Sequence, residues 1–126
     1  MIFGIGTDLC AADRMAAKLQ KPAFVQRVFS PAEQALLNER GGTHRAETAA
    51  ANFAAKEAFL KAAGTGLREP FSLCEIEAIR QENGAPAYRF SGKTAEWVQA
   101  RSLTARLSLS HEGGMALAFC TLETET

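Results

Sequence analysis

The chain has 126 residues, 47% hydrophobic and 22% charged, with fourteen basic and fourteen acidic side chains that cancel to a formal net charge of zero. That is enough chain for one domain with a core of its own, and the balanced charge excludes a global field that would recruit nucleic acid or a membrane surface, so an anionic ligand has to be met by a local patch. Cys10, Cys74 and Cys120 are an odd, widely spaced set without C-x-x-C, which argues against a disulfide framework or a zinc site and for a reducing compartment.

The N-terminal MIFGIG is apolar but lacks a basic flank and is soon interrupted by Asp8, unlike a signal peptide. No apolar run approaches the roughly 20 residues that span a bilayer, so the expectation is a soluble, cytoplasmic protein. Met1–Thr7 predicts a short buried strand ended by Asp8, and Leu9 to about Gln20 predicts a helix. Pro22 breaks that helix, and a shorter one covers Phe24–Val28. Ser30-Pro31-Ala32-Glu33 carries the capping-box residues with proline at the first helical position. The helix it starts runs to about Glu39, where Gly41-Gly42 end it.

A long helix follows, from His44 or Arg45 to Ala63, with Gly64 as its cap. The period then changes. Ser72–Ile79 alternates as a half-buried strand, Glu82-Asn83-Gly84 turns, and Ala87–Phe90 completes a hairpin. Ser91 is placed to cap a helix from Gly92 to about Ala100. Ala105–Ser110 alternates, Glu112-Gly113-Gly114 turns, and Met115–Leu122 returns as a second hairpin strand. Its nearly continuous apolar run, Met115–Cys120, predicts burial on both faces. Together these elements make a single α+β domain over residues 1–126.

Three groups stand out as chemistry. In NFAAKEAFLKAAGTGL, Phe53 and Leu60 define an apolar face and Glu57 lies at its margin. A carboxylate there needs water, a cation or a metal, and the plain reading is an i,i+4 pair with Lys61. Asp8 closes the first strand and His111 closes a late one. Two carboxylates from separate elements suit a Mg²⁺ that bridges substrate phosphate oxygens, with Lys61 facing the same phosphate and the backbone of Gly64-Thr65-Gly66 available to wrap one. Each has an ordinary alternative: Asp8 as a helix cap, His111 as a satisfied histidine, Gly64 as a C′ glycine.

GIGTDL (Gly4–Leu9) and FAAKEAFLKAAGTG (Phe53–Gly66), about 45 residues apart, resemble the two signatures of the holo-[acyl-carrier-protein] synthases, a group of 4′-phosphopantetheinyl transferases. FSPAE, ENGAP and SLSHEGGMALAF extend the likeness over nearly the whole chain. The resemblance implies an α+β fold with the long helix packed on an antiparallel sheet. It implies Mg²⁺-dependent transfer of the 4′-phosphopantetheine arm of coenzyme A to a serine of apo acyl carrier protein. Carried over by position, Asp8 and Glu57 are metal ligands, Glu57 is the candidate base with Glu112 as an alternative, Lys61 meets the transferring phosphate, and Ser110 with His111 binds the nucleotide end. Arg14 matches the family's carrier-docking position, with Lys18, Lys21 and Arg27 extending the basic face.

The resemblance further implies a homotrimer with shared sites, for which one division puts Asp8 and His111 on one chain and Glu57 and Lys61 on its neighbour. Two departures are visible: Thr7 replaces a bulky aliphatic residue, and Asn52 replaces an arginine common in the family, a lost phosphate contact that Arg45 is placed to supply. Two other functions fit the same residues. One is a carrier-independent Mg²⁺-dependent phosphate hydrolase, and the other a non-catalytic relative that binds coenzyme A or carrier.

Overall fold

Gly4 and Gly6 set the architecture, because they let a strand lie directly on a helix. In the computed structural model, which describes residues 1–125, strand β1 (Ile2–Ala11) presses on the long helix α4 (Gly42–Ala63). A Cβ at Gly4 would overlap the carbonyl oxygen of Ala62, and one at Gly6 that of Ala58. The helix meets the strand with small side chains: Ala50, Ala51, Ala54, Ala55 and Ala58 are fully buried. Gly6→Ala is therefore expected to destabilise the fold by about 3 kcal/mol or more, since overpacking falls on rigid backbone. A denaturant midpoint within ~0.5 kcal/mol of the parent's stability would mean that β1 does not need this approach.

β1 is longer than the sequence suggests. Leu9, Cys10 and Ala11, expected to be helical, pair with Leu117, Ala116 and Met115 of β5 (Met115–Thr124), so Asp8 lies within the strand and not at its end. Cross-strand pairing overrides local helix propensity here. Helix α1 (Ala12–Lys18) starts only where the Ala12 N–H turns to the Gly114 carbonyl, 2.9 Å away. β4 (Leu103–Glu112) completes an antiparallel sheet in the order β1-β5-β4, whose inner face α4 covers. On β5, Ala116, Ala118, Cys120 and Leu122 point inward, while Met115, Leu117 and Phe119 remain 37–38% exposed. The expected burial of this strand on both faces is thus not met within one chain.

Helix α2 (Pro22–Val28) begins at its proline. Helix α3 (Pro31–Asn38) has the full capping box: the Glu33 N–H donates to Ser30 Oγ at 3.2 Å and the Ser30 N–H to Glu33 Oε1 at 3.0 Å. Gly41-Gly42, expected to end α3, instead start α4, with Gly41 as its N-cap. Gly64, at φ +85°, caps it as expected. The segment Leu73–Glu75 forms a 3₁₀ turn where a strand was expected, and the strand β2 is Ile76–Arg80, paired with β3 (Pro86–Phe90). Helix α5 (Gly92–Ala100) takes its cap from Glu75 rather than Ser91: Glu75 Oε1 accepts from the Thr94 N–H at 3.1 Å and Thr94 Oγ1 at 3.0 Å. That carboxylate arrives from the 3₁₀ turn, beyond the reach of any local signal.

A buried ion pair joins these parts. Lys56 and Glu33 are 0% and 1% exposed, and the Lys56 ammonium donates to Glu33 Oε1 (2.6 Å) and to the carbonyls of Leu73 (2.9 Å) and Ile76 (2.6 Å). All three of its protons are used. Burial pulls the ammonium below the ordinary lysine range, and Glu33 offsets part of that pull. Glu33 Oε2 also accepts from Asn52 Nδ2 at 3.0 Å and the Ala78 N–H at 3.2 Å. One carboxylate thus ties α3, α4 and β2.

Candidate active site

The two middle residues of AAKEAF part company: Lys56 turns into the core and Glu57 toward solvent. One turn on, Lys61 pairs with Asp8 and not with Glu57. Its ammonium donates to Asp8 Oδ1 at 3.1 Å and to the Thr7 carbonyl at 2.9 Å. Asp8 and Glu57 both line a cavity of about 170 Å³, together with Cys10, Arg14, Lys18 and Phe53. Burial pushes the Glu57 carboxyl above its ordinary value, the Asp8 charge pushes it further, and Lys61 pulls it back. Asp8, Glu57 and Lys61 therefore assemble within one chain. The division that put Asp8 and Lys61 on different chains is corrected by their contact.

The donor chemistry fits a hard cation. Two carboxylates line one cavity where the Asp8 charge disfavours that of Glu57, which a divalent ion would relieve. Among the described residues no cluster of three or more His, Cys, Asp or Glu could form an all-protein cage. An ion held by Asp8 and Glu57 would complete its shell with water and phosphate oxygens, the habit of Mg²⁺.

The residues expected to dock a carrier lie beside this cavity. Arg14 and Lys18 stand on its rim; Lys18 also lies over the rings of Phe24 and Phe53, at 5.4 and 5.8 Å. Arg27 also lies over the Phe24 ring, 5.8 Å from its centre.

The other expected residues fall elsewhere. Ser110 and His111 line a shallow cavity of about 240 Å³ with Leu9, Glu112 and Leu117, and the Asp8–Lys61 side of the sheet has Leu9 and Leu117 at its own edge. An apolar strip thus separates the carboxylates from the histidine. The Gly64 N–H is committed to the Leu60 and Lys61 carbonyls, at 3.1 and 3.0 Å, and Thr65 Oγ1 to the Gly66 carbonyl at 3.0 Å. A phosphate nest built on the Gly64 amide is therefore not present, and Gly64, Thr65 and Gly66 line none of the cavities around Asp8 or His111.

Among the described residues Arg45, expected to supply the contact missing at Asn52, forms no hydrogen bond with that residue. Arg80 does: its Nη2 donates to Asn52 Oδ1 at 2.9 Å. With Arg40, His44 and His111 it lines a cavity of about 470 Å³. Neither Arg40 nor Arg80 stands out in the sequence, since each lies at the end of an ordinary element. Lys56 did leave a signal, falling three residues before Phe59 and four before Leu60, inside the apolar face.

Comparison with known proteins matches these features to one family. The family model described as the 4′-phosphopantetheinyl transferase superfamily matches residues 4–120. A holo-[acyl-carrier-protein] synthase of Variovorax paradoxus is 41% identical, over 98% of this chain and 98% of its own length. One from Cupriavidus metallidurans is 38% identical, over 98% of this chain and 90% of its own length. The crystal structure of holo-[acyl-carrier-protein] synthase from Neisseria meningitidis superimposes with a TM-score of 0.89 at 33% identity, covering 98% of this chain and all of that one. That of the Bacillus anthracis enzyme in complex with CoA (3′,5′-ADP) gives a TM-score of 0.85 at 31% identity, covering 99% of each chain. With the family model matching most of the chain and near-full-length relatives sharing its α+β fold, the chain belongs to the 4′-phosphopantetheinyl transferase superfamily.

Proposed function

We propose that this protein is a holo-[acyl-carrier-protein] synthase, moving 4′-phosphopantetheine from coenzyme A to a serine of apo acyl carrier protein and releasing adenosine 3′,5′-bisphosphate. The observation that carries the reading is the convergence of Asp8, Glu57 and Lys61 on one surface beside a basic rim. The serine Oγ attacks the pyrophosphate phosphorus that bears the pantetheine arm, the bond from that phosphorus to the bridging oxygen breaks, and the bisphosphate leaves with the electron pair. Asp8 and Glu57 would hold a Mg²⁺, which when bound supplies charge neutralisation across the pyrophosphate. Lys61 places a point charge where negative charge develops. The serine proton passes to the Glu57 carboxylate, whose proton affinity burial has already raised.

Arg14 and Lys18 offer an acidic carrier helix a positive landing face whose pull weakens with salt. No helix of the described residues is long and apolar enough to cross a membrane, and Cys10, Cys74 and Cys120 are free thiols, in keeping with a cytoplasmic setting. The deciding assay incubates the protein with coenzyme A, Mg²⁺ and apo carrier and follows intact mass. A gain of one phosphopantetheine on the carrier is the expected result. Breakdown of coenzyme A without carrier would favour a hydrolase, and binding without turnover a non-catalytic relative.

The outer face of the β1-β5-β4 sheet supports the trimeric part of the reading. Ile5, Leu9, Met115, Leu117 and Phe119 form an apolar surface there, with Ile5 and Leu9 about 60% exposed. Copies that cover it would bring Asp8, Glu57 and Lys61 of one chain toward Ser110 and His111 of the next. Mixing inactive Lys61→Ala with inactive His111→Ala subunits is then expected to complete about a quarter of the sites in random trimers. Asp8→Ala with Lys61→Ala restores none, because both damage the same half. A monomer of 13.5 kDa with full activity would overturn the shared site.

A further inference from the structure

Beside the Asp8–Lys61 pair the sheet carries a groove of about 350 Å³, lined by Thr7, Asp8, Leu9, Lys61 and Leu117. It combines one ion pair with an apolar wall and a hydroxyl. Leu9 pairs across the sheet with Leu117, and Thr7 with Phe119, so these four side chains share its outer face. The Lys61 ammonium takes the Thr7 carbonyl at 2.9 Å and leaves the hydroxyl over. Among the described residues Thr7 Oγ1 has no hydrogen-bond partner. The groove lies at the β1 edge of the sheet, where a neighbouring copy would replace solvent as its far wall. A hydroxyl enclosed there without a partner is unfavourable, which selects a ligand that brings a polar group to it.

Distance decides what reaches it. A phosphate oxygen held by an ammonium lies about 2.8 Å from the nitrogen, and this nitrogen is 2.9 Å from the Thr7 carbonyl oxygen. A phosphate on Lys61 is therefore within about 6 Å of Thr7. Toward α4 that phosphate faces the carboxylates of Asp8 and Glu57, which leave no place for apolar carbon. Toward the sheet it faces Leu9 and Leu117, both exposed and able to cover an apolar group. In coenzyme A the arm begins, directly beyond the phosphate, with the pantoyl unit: a methylene, a carbon bearing two methyl groups, then a carbinol. Its methyl groups suit the leucine wall, and its hydroxyl suits Thr7.

We propose that Thr7, Leu9 and Leu117 form the subsite for the pantoyl unit of coenzyme A, with the Thr7 hydroxyl as the group that reads the pantoyl hydroxyl. This rests on the transferase reading for the identity of the ligand. Each hydroxyl can donate and accept, so one bond joins them whichever supplies the proton. The bond is made equally in the bound donor and in the transition state, so its loss falls on KM.

The test compares coenzyme A with an analogue that lacks the pantoyl hydroxyl. The parent is expected to prefer coenzyme A by about 3- to 10-fold in kcat/KM, the usual reach of a neutral hydrogen bond. Thr7→Val keeps the outline of the side chain and suits a strand, and it should erase that preference through KM for coenzyme A. Thr7→Ser retains the preference, which separates a lost hydroxyl from a variant that fails to fold. A preference that survives in Thr7→Val, or a parent that does not distinguish the two donors, overturns the proposal.

Calorimetry gives a reading independent of turnover. Thr7→Val should weaken coenzyme A by about 3- to 10-fold and leave adenosine 3′,5′-bisphosphate, which has no pantoyl unit, unchanged. Equal losses on both ligands overturn the subsite. If the parent transfers nothing yet shows this Thr7-dependent difference, the subsite stands and the transferase reading falls. If it transfers but Thr7→Val binds both ligands as the parent does, the subsite falls alone.

Discussion

Glu57→Gln is expected to lower phosphopantetheine transfer by about 10³-fold, the scale seen when a preorganised electrostatic group is removed from an active site. The amide keeps the shape of the side chain but can neither share a divalent cation with Asp8 nor take the serine proton. Asp8→Asn should be similarly inactive. The fold should survive, and the direction of the Glu57 shift says more. Its carboxyl sits above its ordinary value because burial and Asp8 disfavour the charge, so at neutral pH the ionised form costs stability that the amide does not. In metal-free protein the Tm of Glu57→Gln should therefore equal or exceed that of the parent. Mg²⁺ should raise the parent's Tm by mass action and leave the variant's unmoved. Parent-like turnover by Glu57→Gln at limiting Mg²⁺ would sink the metal assignment.

The second large effect is structural. Lys56→Met should cost about 3–5 kcal/mol, because it leaves the Glu33 carboxylate buried without its cation. It also strips the Leu73 and Ile76 carbonyls of their donor. Denaturant unfolding would read this as a lower midpoint at unchanged m. The Tm should fall by roughly 10 °C or more for a chain of this size. A loss below ~1 kcal/mol would mean that the pair is dispensable. The neighbouring residues of one dipeptide thus separate cleanly: Lys56 is read in stability and Glu57 in turnover.

What could be read from the residues was whatever depends on close neighbours. The Ser30–Glu33 capping box, the Gly64 cap and both hairpin turns are local chemistry, and all appear in the structure. Errors arose where a distant partner decides. Leu9–Ala11 look helical until β5 pairs with them, and Ser91 looks like a cap until Glu75 takes that role. The site follows the same rule. Asp8, Glu57 and Lys61 lie in two compact motifs and were legible, while Arg80 acquires meaning only through Asn52, 28 residues away. Gly64 shows the other direction: the Gly64-Thr65-Gly66 motif is present, but its first amide is used up in ending the helix.

Among the described residues β1 is also an edge strand, with β5 on one side and no strand on the other. Edges of this kind can accept a foreign strand through their open backbone groups, a route to aggregation. The Lys61 ammonium sits on the Thr7 carbonyl of this strand, with the lysine side chain 56% exposed. It occupies an acceptor and leaves a charge on the strand, much as edge lysines do elsewhere to discourage strand addition. Lys61→Ala removes that guard together with the proposed phosphate contact. Soluble yield and self-association of the alanine variant would then report on an uncovered edge as well as on lost chemistry, so Lys61→Arg, which keeps a cation at the carbonyl, separates the two.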